Sequence, residues 1–140
     1  VSGPTLTVDV VALAGDPVAS VLLIERGHDP FAGTWALPGG FVEADERVPV
    51  AAARELKEET AITAGPLELL GVYDTPGRDP RGATVSVVYL MRCAEPLEAT
   101  GGDDAAQARW FDLDELPPLA FDHPVVIADA LSRAASAPRS

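Results

Sequence analysis

The segment 40–62, GFVEADERVPVAAARELKEETAI, constrains this 140-residue chain more than any other stretch of it. Pro49 suits a first helical turn, where its missing N–H would have no partner anyway, and Ala51, Ala52 and Ala53 begin a run of good helix formers that lasts to Thr60. The pattern predicts a helix over 48–60. On that helix Glu55, Glu58 and Glu59 fall at i, i+3 and i+4 and share one face, while Ala52 and Leu56 can face a core. Three carboxylates held so close repel one another, so the arrangement calls for a cation or for open solvent. Alone they would read as a solvated acidic face. Their surroundings favour a metal site: Gly39-Gly40 can form a tight loop with exposed backbone groups, Glu46 follows it, and Arg54 stands beside Glu55, where it can pair with a carboxylate and orient it.

The segments 6–14 and 18–24 are rich in Val, Leu and Ile and are separated by Gly15-Asp16-Pro17, which predicts two strands and a turn. Further strands are predicted over 67–73, 83–92 and 107–111. Polar, turn-rich loops are predicted over 27–34 and 74–82, a turn of helix over 112–116, and a closing helix over 124–134 capped by Asp122 or His123. The tail 135–140 is small and polar and is expected to fray. Strands and helices without regular alternation suggest an α/β fold with a mixed sheet covered by helices, in a single domain over 1–140.

The formal net charge of −12 disfavours binding to a nucleic-acid backbone, and a small phosphorylated substrate would need metal ions and a few local arginines to approach. Cys93, the single cysteine, excludes an internal disulfide and a cysteine-rich zinc site and reads as packing. His28 and His123 lack a second histidine or cysteine at ligand spacing, so zinc is not expected, and His123 reads as a capping or surface residue. No apolar run approaches the ~20 residues that span a bilayer, so no membrane partner and a cytoplasmic location are expected.

Gly40, Glu46, Arg54-Glu55, Leu56, Glu58-Glu59, Ala61 and Ile62, in that spacing, resemble the signature of the Nudix hydrolases. Gly33-Thr34-Trp35-Ala36-Leu37-Pro38-Gly39-Gly40 is similar to that family's approach to the motif. One position departs: Ala61 stands where the family has glycine, at a helix exit where a left-handed backbone is often wanted. The resemblance implies a Nudix α/β/α sandwich and a pyrophosphatase using Mg²⁺ or Mn²⁺, hard cations that suit carboxylate ligands. Glu55, Glu58 and Glu59 would be the metal ligands, joined by the Gly40 carbonyl, with Arg54 holding Glu55 or Glu46. Glu58 is one candidate for the general base. Asp103 and Asp104 are others, and they read equally well as a solvated turn.

Substrate choice must lie outside this motif. Family members that hydrolyse ADP-ribose tend to carry a proline about fifteen residues past the motif's last glycine position, and Pro76 stands there relative to Ala61. Arg78-Asp79-Pro80-Arg81-Gly82 is also similar to that branch. Arg78 and Arg81 either hold phosphates or pair with Asp79. Trp35 either lines the pocket beside Gly39 or packs in the core. The resemblance thus implies hydrolysis of ADP-ribose, a small nucleotide, by a homodimer. A triphosphate pyrophosphohydrolase and a non-catalytic nucleotide sensor are the rival readings.

Overall fold

The computed structural model describes residues 3–102 and 105–136, so Asp103 and Asp104 lie outside the described residues. Its elements run β1 (Thr5–Ala14), β2 (Ser20–Arg26), β3 (Trp35–Ala36), β4 (Gly39–Phe41), α1 (Val48–Thr60), β5 (Glu68–Tyr73), β6 (Thr84–Cys93), β7 (Ala105–Asp112), a 3-10 turn at Leu113–Glu115, and α2 (His123–Ala134). The expected strands and both helices are present. The short strands β3 and β4 were not expected, and β7 is longer at both ends than its apolar run suggested.

β1 is central. It pairs in parallel with β6 along its whole length and antiparallel with β2, in a sheet of order β3-β2-β1-β6-β5 to which β4 and β7 are attached. Side chains alternate across a strand, and both faces of β1 are covered. Val8, Val10 and Ala12 therefore pack with Ala51, Ala52 and Leu56 of α1, while Val11 and Leu13 pack with Val126, Ile127 and Ala130 of α2. These two cores on opposite faces make the α/β/α sandwich. Among the described residues, no helix is long and apolar enough to cross a membrane.

One irregularity positions the site. β1 and β2 pair only at Leu13–Val21 and Ala14–Ser20, and then they diverge. In the gap β4 pairs with β1 through Thr7, Val8 and Asp9, and β3 pairs with β2 through Ile24 and Glu25. The fork leaves a cavity between the two strands.

α1 ends at Ala61, whose φ of 65° lies in the left-handed region and whose N–H donates to the Lys57 carbonyl. The departure from glycine there leaves the helix exit intact at a conformational cost of about 1 kcal/mol. Ala61→Gly should therefore raise stability by up to about 1 kcal/mol, seen as a rise of about 4 °C in Tm by circular dichroism.

Candidate active site

The cavity has a volume of about 140 Å³. Asp9, Arg26, the Gly39–Phe41 backbone, Glu55, Glu59 and His123 are among its lining residues. Two glycines make this convergence possible. A Cβ on Gly39 would collide with the Val8 carbonyl and the Asp9 carboxylate, and one on Gly40 would lie 2.6 Å from the Glu55 carboxylate. With no side chains there, β4 passes between β1 and α1 and brings the Gly39 N–H to Glu59 Oε1 at 2.7 Å.

Arg54 organises the acidic helix face. Its Nε and Nη2 donate to both oxygens of Glu46 at 2.7 and 2.9 Å, and its Nη1 donates to Glu55 at 2.8 Å and to Glu58 at 3.3 Å. Nη2 also donates to the Phe41 carbonyl at 3.1 Å, tying α1 to β4. A planar fork with several fixed donors suits this task, and lysine could not reproduce it. The Arg54 hydrogen bond, helped by the Glu43 N–H, holds the Glu46 carboxyl down at about 2. Like charges on α1 are thus neutralised by a guanidinium from the same helix.

The expected metal ligands separate into two groups. Glu55 and Glu59 are buried and line the cavity with Gly40, whereas the Glu58 side chain is 40% exposed and leans on Arg54. Among the described residues, no three His, Cys, Asp or Glu side chains already converge as a metal cluster. The donor set nonetheless fits a hard divalent cation, because Mg²⁺ usually takes one or two carboxylates and completes its shell with water and substrate oxygens. The Gly40 position, where a Cβ would press on Glu55, also keeps the backbone open to that carboxylate.

The arginines of the 74–82 loop are already engaged. Arg81 donates from Nε and Nη2 to Asp79 at 3.1 and 2.8 Å, as one reading of the sequence had it. Arg78 pairs instead with Asp122, through Nε and Nη2 at 2.9 and 2.7 Å, and is nearly buried. Burial opposes the charges of Asp79 and Arg78, but their partners outweigh it: the Asp79 carboxyl is held below its ordinary value and the Arg78 guanidinium above its own. Pro76 is exposed in the turn closed by the Arg78 N–H on the Thr75 carbonyl, with Gly77 at φ 83°, so it shapes the loop outside the cavity lining. Trp35 packs edge-on against Phe111 at 4.7 Å in the α2-side core and is likewise outside that lining. The Gly101-Gly102 segment lies against α1, where a Cβ on Gly102 would meet the Glu58 carbonyl at 2.7 Å.

His123 corrects an expectation. It is 3% exposed, neither a cap nor a surface residue, and its Nδ1 accepts the Leu37 N–H at 3.0 Å. That bond puts the proton of the neutral ring on Nε2, which faces Asp9 Oδ2 at 3.8 Å. Asp9 also accepts the Ser86 hydroxyl at 2.6 Å. Ser86 is fully buried and touches the carboxylate, so this group is a scaffold and not a nucleophile with its base. A signal for Asp9 existed: it is the one charge in β1, and every residue after it in that strand is apolar. His123 carried no such mark, because its burial depends on the docking of α2.

The Nudix domain family matches residues 3–130. The chain is 50% identical over 109 residues to the ADP-ribose pyrophosphatase of Methanocaldococcus jannaschii, a match covering 78% of this chain and 64% of that protein. It is 33% identical over 135 residues to the ADPR responsive transcriptional repressor NtrR of Acinetobacter baylyi, covering 93% of this chain and 54% of the repressor. The crystal structure of the Nudix domain of Shewanella oneidensis NrtR complexed with ADP ribose superposes with a TM-score of 0.87 at 33% identity, covering 95% of this chain and 90% of that one. Fold and site define an α/β/α protein with a carboxylate-lined, glycine-cradled cavity. The chain belongs to the Nudix family, and it spans between half and two thirds of the length of these two curated relatives.

Burial holds the His123 imidazole below its ordinary 6.5, and the carboxylates of Asp9 and Asp122 oppose this without reversing it. The unfolded chain therefore takes up the proton first as pH falls. The contribution of His123 is intact above pH 6.5 and is lost as pH drops from there through the depressed folded-state value. Chemical denaturation at pH steps on both sides of 6.5 should show stability falling with acidity, and His123→Asn should flatten that part of the slope.

Proposed function

We propose that the chain is a divalent-metal-dependent pyrophosphohydrolase that cleaves ADP-ribose to AMP and ribose 5-phosphate. The observation that carries this reading is the convergence of Glu55, Glu59 and Gly40 on one cavity, with Arg54 fixing Glu55 and the Gly39 N–H fixing Glu59. The likeness to the Methanocaldococcus jannaschii ADP-ribose pyrophosphatase supports the substrate. Glu55, Glu59 and Gly40, with Glu58 at the edge, would hold Mg²⁺, or Mn²⁺ in its place. When bound, such an ion offsets charge on pyrophosphate oxygens and acidifies water, which an acidic chain cannot do with side chains alone.

The protein's own part is orientation and proton transfer. Gly39 N–H and Arg54 fix where Glu59 and Glu55 point, and Glu58 is positioned beside Arg54 to accept a proton from the attacking water. Asp103 and Asp104 are the alternative bases. Gly39, Arg78 and Arg81 line the cavity as substrate contacts, Arg78 also latching the loop to Asp122 at the start of α2, and Pro76 and Trp35 shape the site from outside. We also infer a cytoplasmic homodimer, which sedimentation of the purified chain and fractionation of cells would check.

A second reading, an ADP-ribose sensor without turnover, is favoured by the likeness to the Acinetobacter baylyi repressor. One experiment separates the readings. Incubation with Mg²⁺ and ADP-ribose, with a nucleoside triphosphate in parallel, should yield AMP and ribose 5-phosphate from ADP-ribose fastest. Pyrophosphate released mainly from the triphosphate would indicate a triphosphate pyrophosphohydrolase, and tight binding without products would indicate a sensor. Glu59→Gln should lower kcat by about 100-fold or more and Arg54→Lys by about 10- to 100-fold, both with unchanged far-UV spectra.

A further inference from the structure

The strip 37–40 enters the cavity between the two helices and is held from both. The Leu37 side chain is buried in the α2-side core, and its N–H donates to His123 Nδ1 at 3.0 Å. Two residues on, the Gly39 N–H donates to Glu59 Oε1 of α1 at 2.7 Å. Between them the Pro38 carbonyl accepts the Val10 N–H of β1 at 2.9 Å, and Gly39 lies opposite Asp9 in the register of β1 with β4. A bond from α2, one from the central strand and one to the acidic helix thus follow one another along three residues of backbone.

The strip depends on these bonds for its orientation. Leu37 anchors where it starts, but Pro38 has no N–H to donate, and the two glycines carry no side chain by which packing could aim their peptide planes. The Leu37 N–H is buried with its residue, so without an acceptor it would have to turn toward another one, and the peptide planes after it would turn with it. His123 is itself firmly seated. Its N–H donates to the Ala120 carbonyl at 3.2 Å, its ring lies tilted against that of Phe121 at 5.4 Å, and the neighbouring Asp122 takes Nε and Nη2 of Arg78.

Resting on the metal site of the hydrolase reading, we propose that His123 is a positioning residue for that site. By accepting the Leu37 N–H it sets the orientation of the strip, so that the Gly39 N–H aims Glu59 and Gly40 stays against the Glu55 carboxylate. A carboxylate with one oxygen fixed by a backbone donor presents the other in a constant direction, and groups that orient metal ligands in this way change metal affinity by about 10- to 100-fold. His123 therefore tunes how tightly Glu55 and Glu59 hold a divalent cation without being a ligand, and it does so from the opposite layer of the sandwich.

The test is Mn²⁺ binding to the full chain without nucleotide, read from the electron paramagnetic resonance signal of the unbound aqua ion at a temperature where thermal unfolding shows each variant folded. His123→Phe keeps a ring and removes the acceptor, His123→Gln moves the acceptor oxygen farther from the backbone, and His123→Asn keeps one near the place of Nδ1. His123→Phe and His123→Gln should weaken Mn²⁺ binding by about tenfold or more, whereas His123→Asn should stay within about threefold of wild type. Equal affinity in all folded variants, or an equal loss in His123→Asn, overturns the positioning role, as does an absence of Mn²⁺ binding by wild type at millimolar concentration. If His123→Phe and His123→Gln do not fold while His123→Asn does, the residue serves the fold alone and the proposal fails. Mn²⁺ affinity that tracks the acceptor in a protein that leaves ADP-ribose uncleaved would sink the hydrolase reading and keep the positioning role. Cleavage by a protein whose Mn²⁺ affinity is indifferent to His123 would do the reverse.

Discussion

Two backbone units that pass between a strand and a helix with no side chains of their own govern the geometry of this site. Gly39 and Gly40 fill the space between Asp9 on β1 and Glu55 on α1, and a single methyl at either position would collide with a carboxylate or a main-chain oxygen. At Gly39 this exclusion cannot be relieved by rotating a neighbour, because the Val8 carbonyl belongs to the paired backbone of the central strand, whereas at Gly40 it would displace the Glu55 carboxylate. The approach also satisfies polar groups: the Gly39 N–H meets Glu59, and the Phe41 carbonyl receives Arg54. Packing and hydrogen bonding thus select the same residues.

Charge is managed locally in a molecule of net charge −12. Arg54 serves Glu46 and Glu55, Arg78 serves Asp122, and Arg81 serves Asp79, each through short, charge-assisted bonds, and Arg54 reaches Glu58 through a longer one. These pairs fix side chains in place and leave little net positive field for an incoming anion. In the proposed reaction a divalent cation at Glu55 and Glu59 would supply that field, and would so reconcile an acidic chain with an acidic substrate.

Much of this was legible in the sequence where the signal is local. The helix over 48–60, with Pro49 at its start, follows from propensity and capping alone, whereas the left-handed exit at Ala61 was suggested only by the glycine that the resembled family carries there. The nearness of Arg54 to the glutamates follows from spacing on one continuous segment, and that of Gly40 from the family resemblance, while Glu58 lies outside the cavity lining that Glu55 and Glu59 share. What could not be read depends on contacts between distant segments. The fork of β1 from β2 is a matter of pairing, so β3 and β4 left no mark in composition. Arg78 has Asp79 as its chain neighbour yet pairs with Asp122, because the 74–82 loop folds onto the start of α2. His123 was misplaced for this reason, and the two readings of Trp35, pocket or core, could not be separated, since exposure is decided by what docks on a residue.

The parallel pairing of β1 with β6 also bears on how the cavity comes into being. Ser86 and Asp9, joined across that ladder, are 77 positions apart, and His123 meets Leu37 across 86. Contacts at such separations close large loops of chain, whereas the hydrogen bonds of α1 are local. The acidic helix face is thus built from neighbours in sequence, and the walls that turn it into a site are built from segments far apart in it. A change that loosens those distant contacts would leave the glutamates on their helix with nothing held against them.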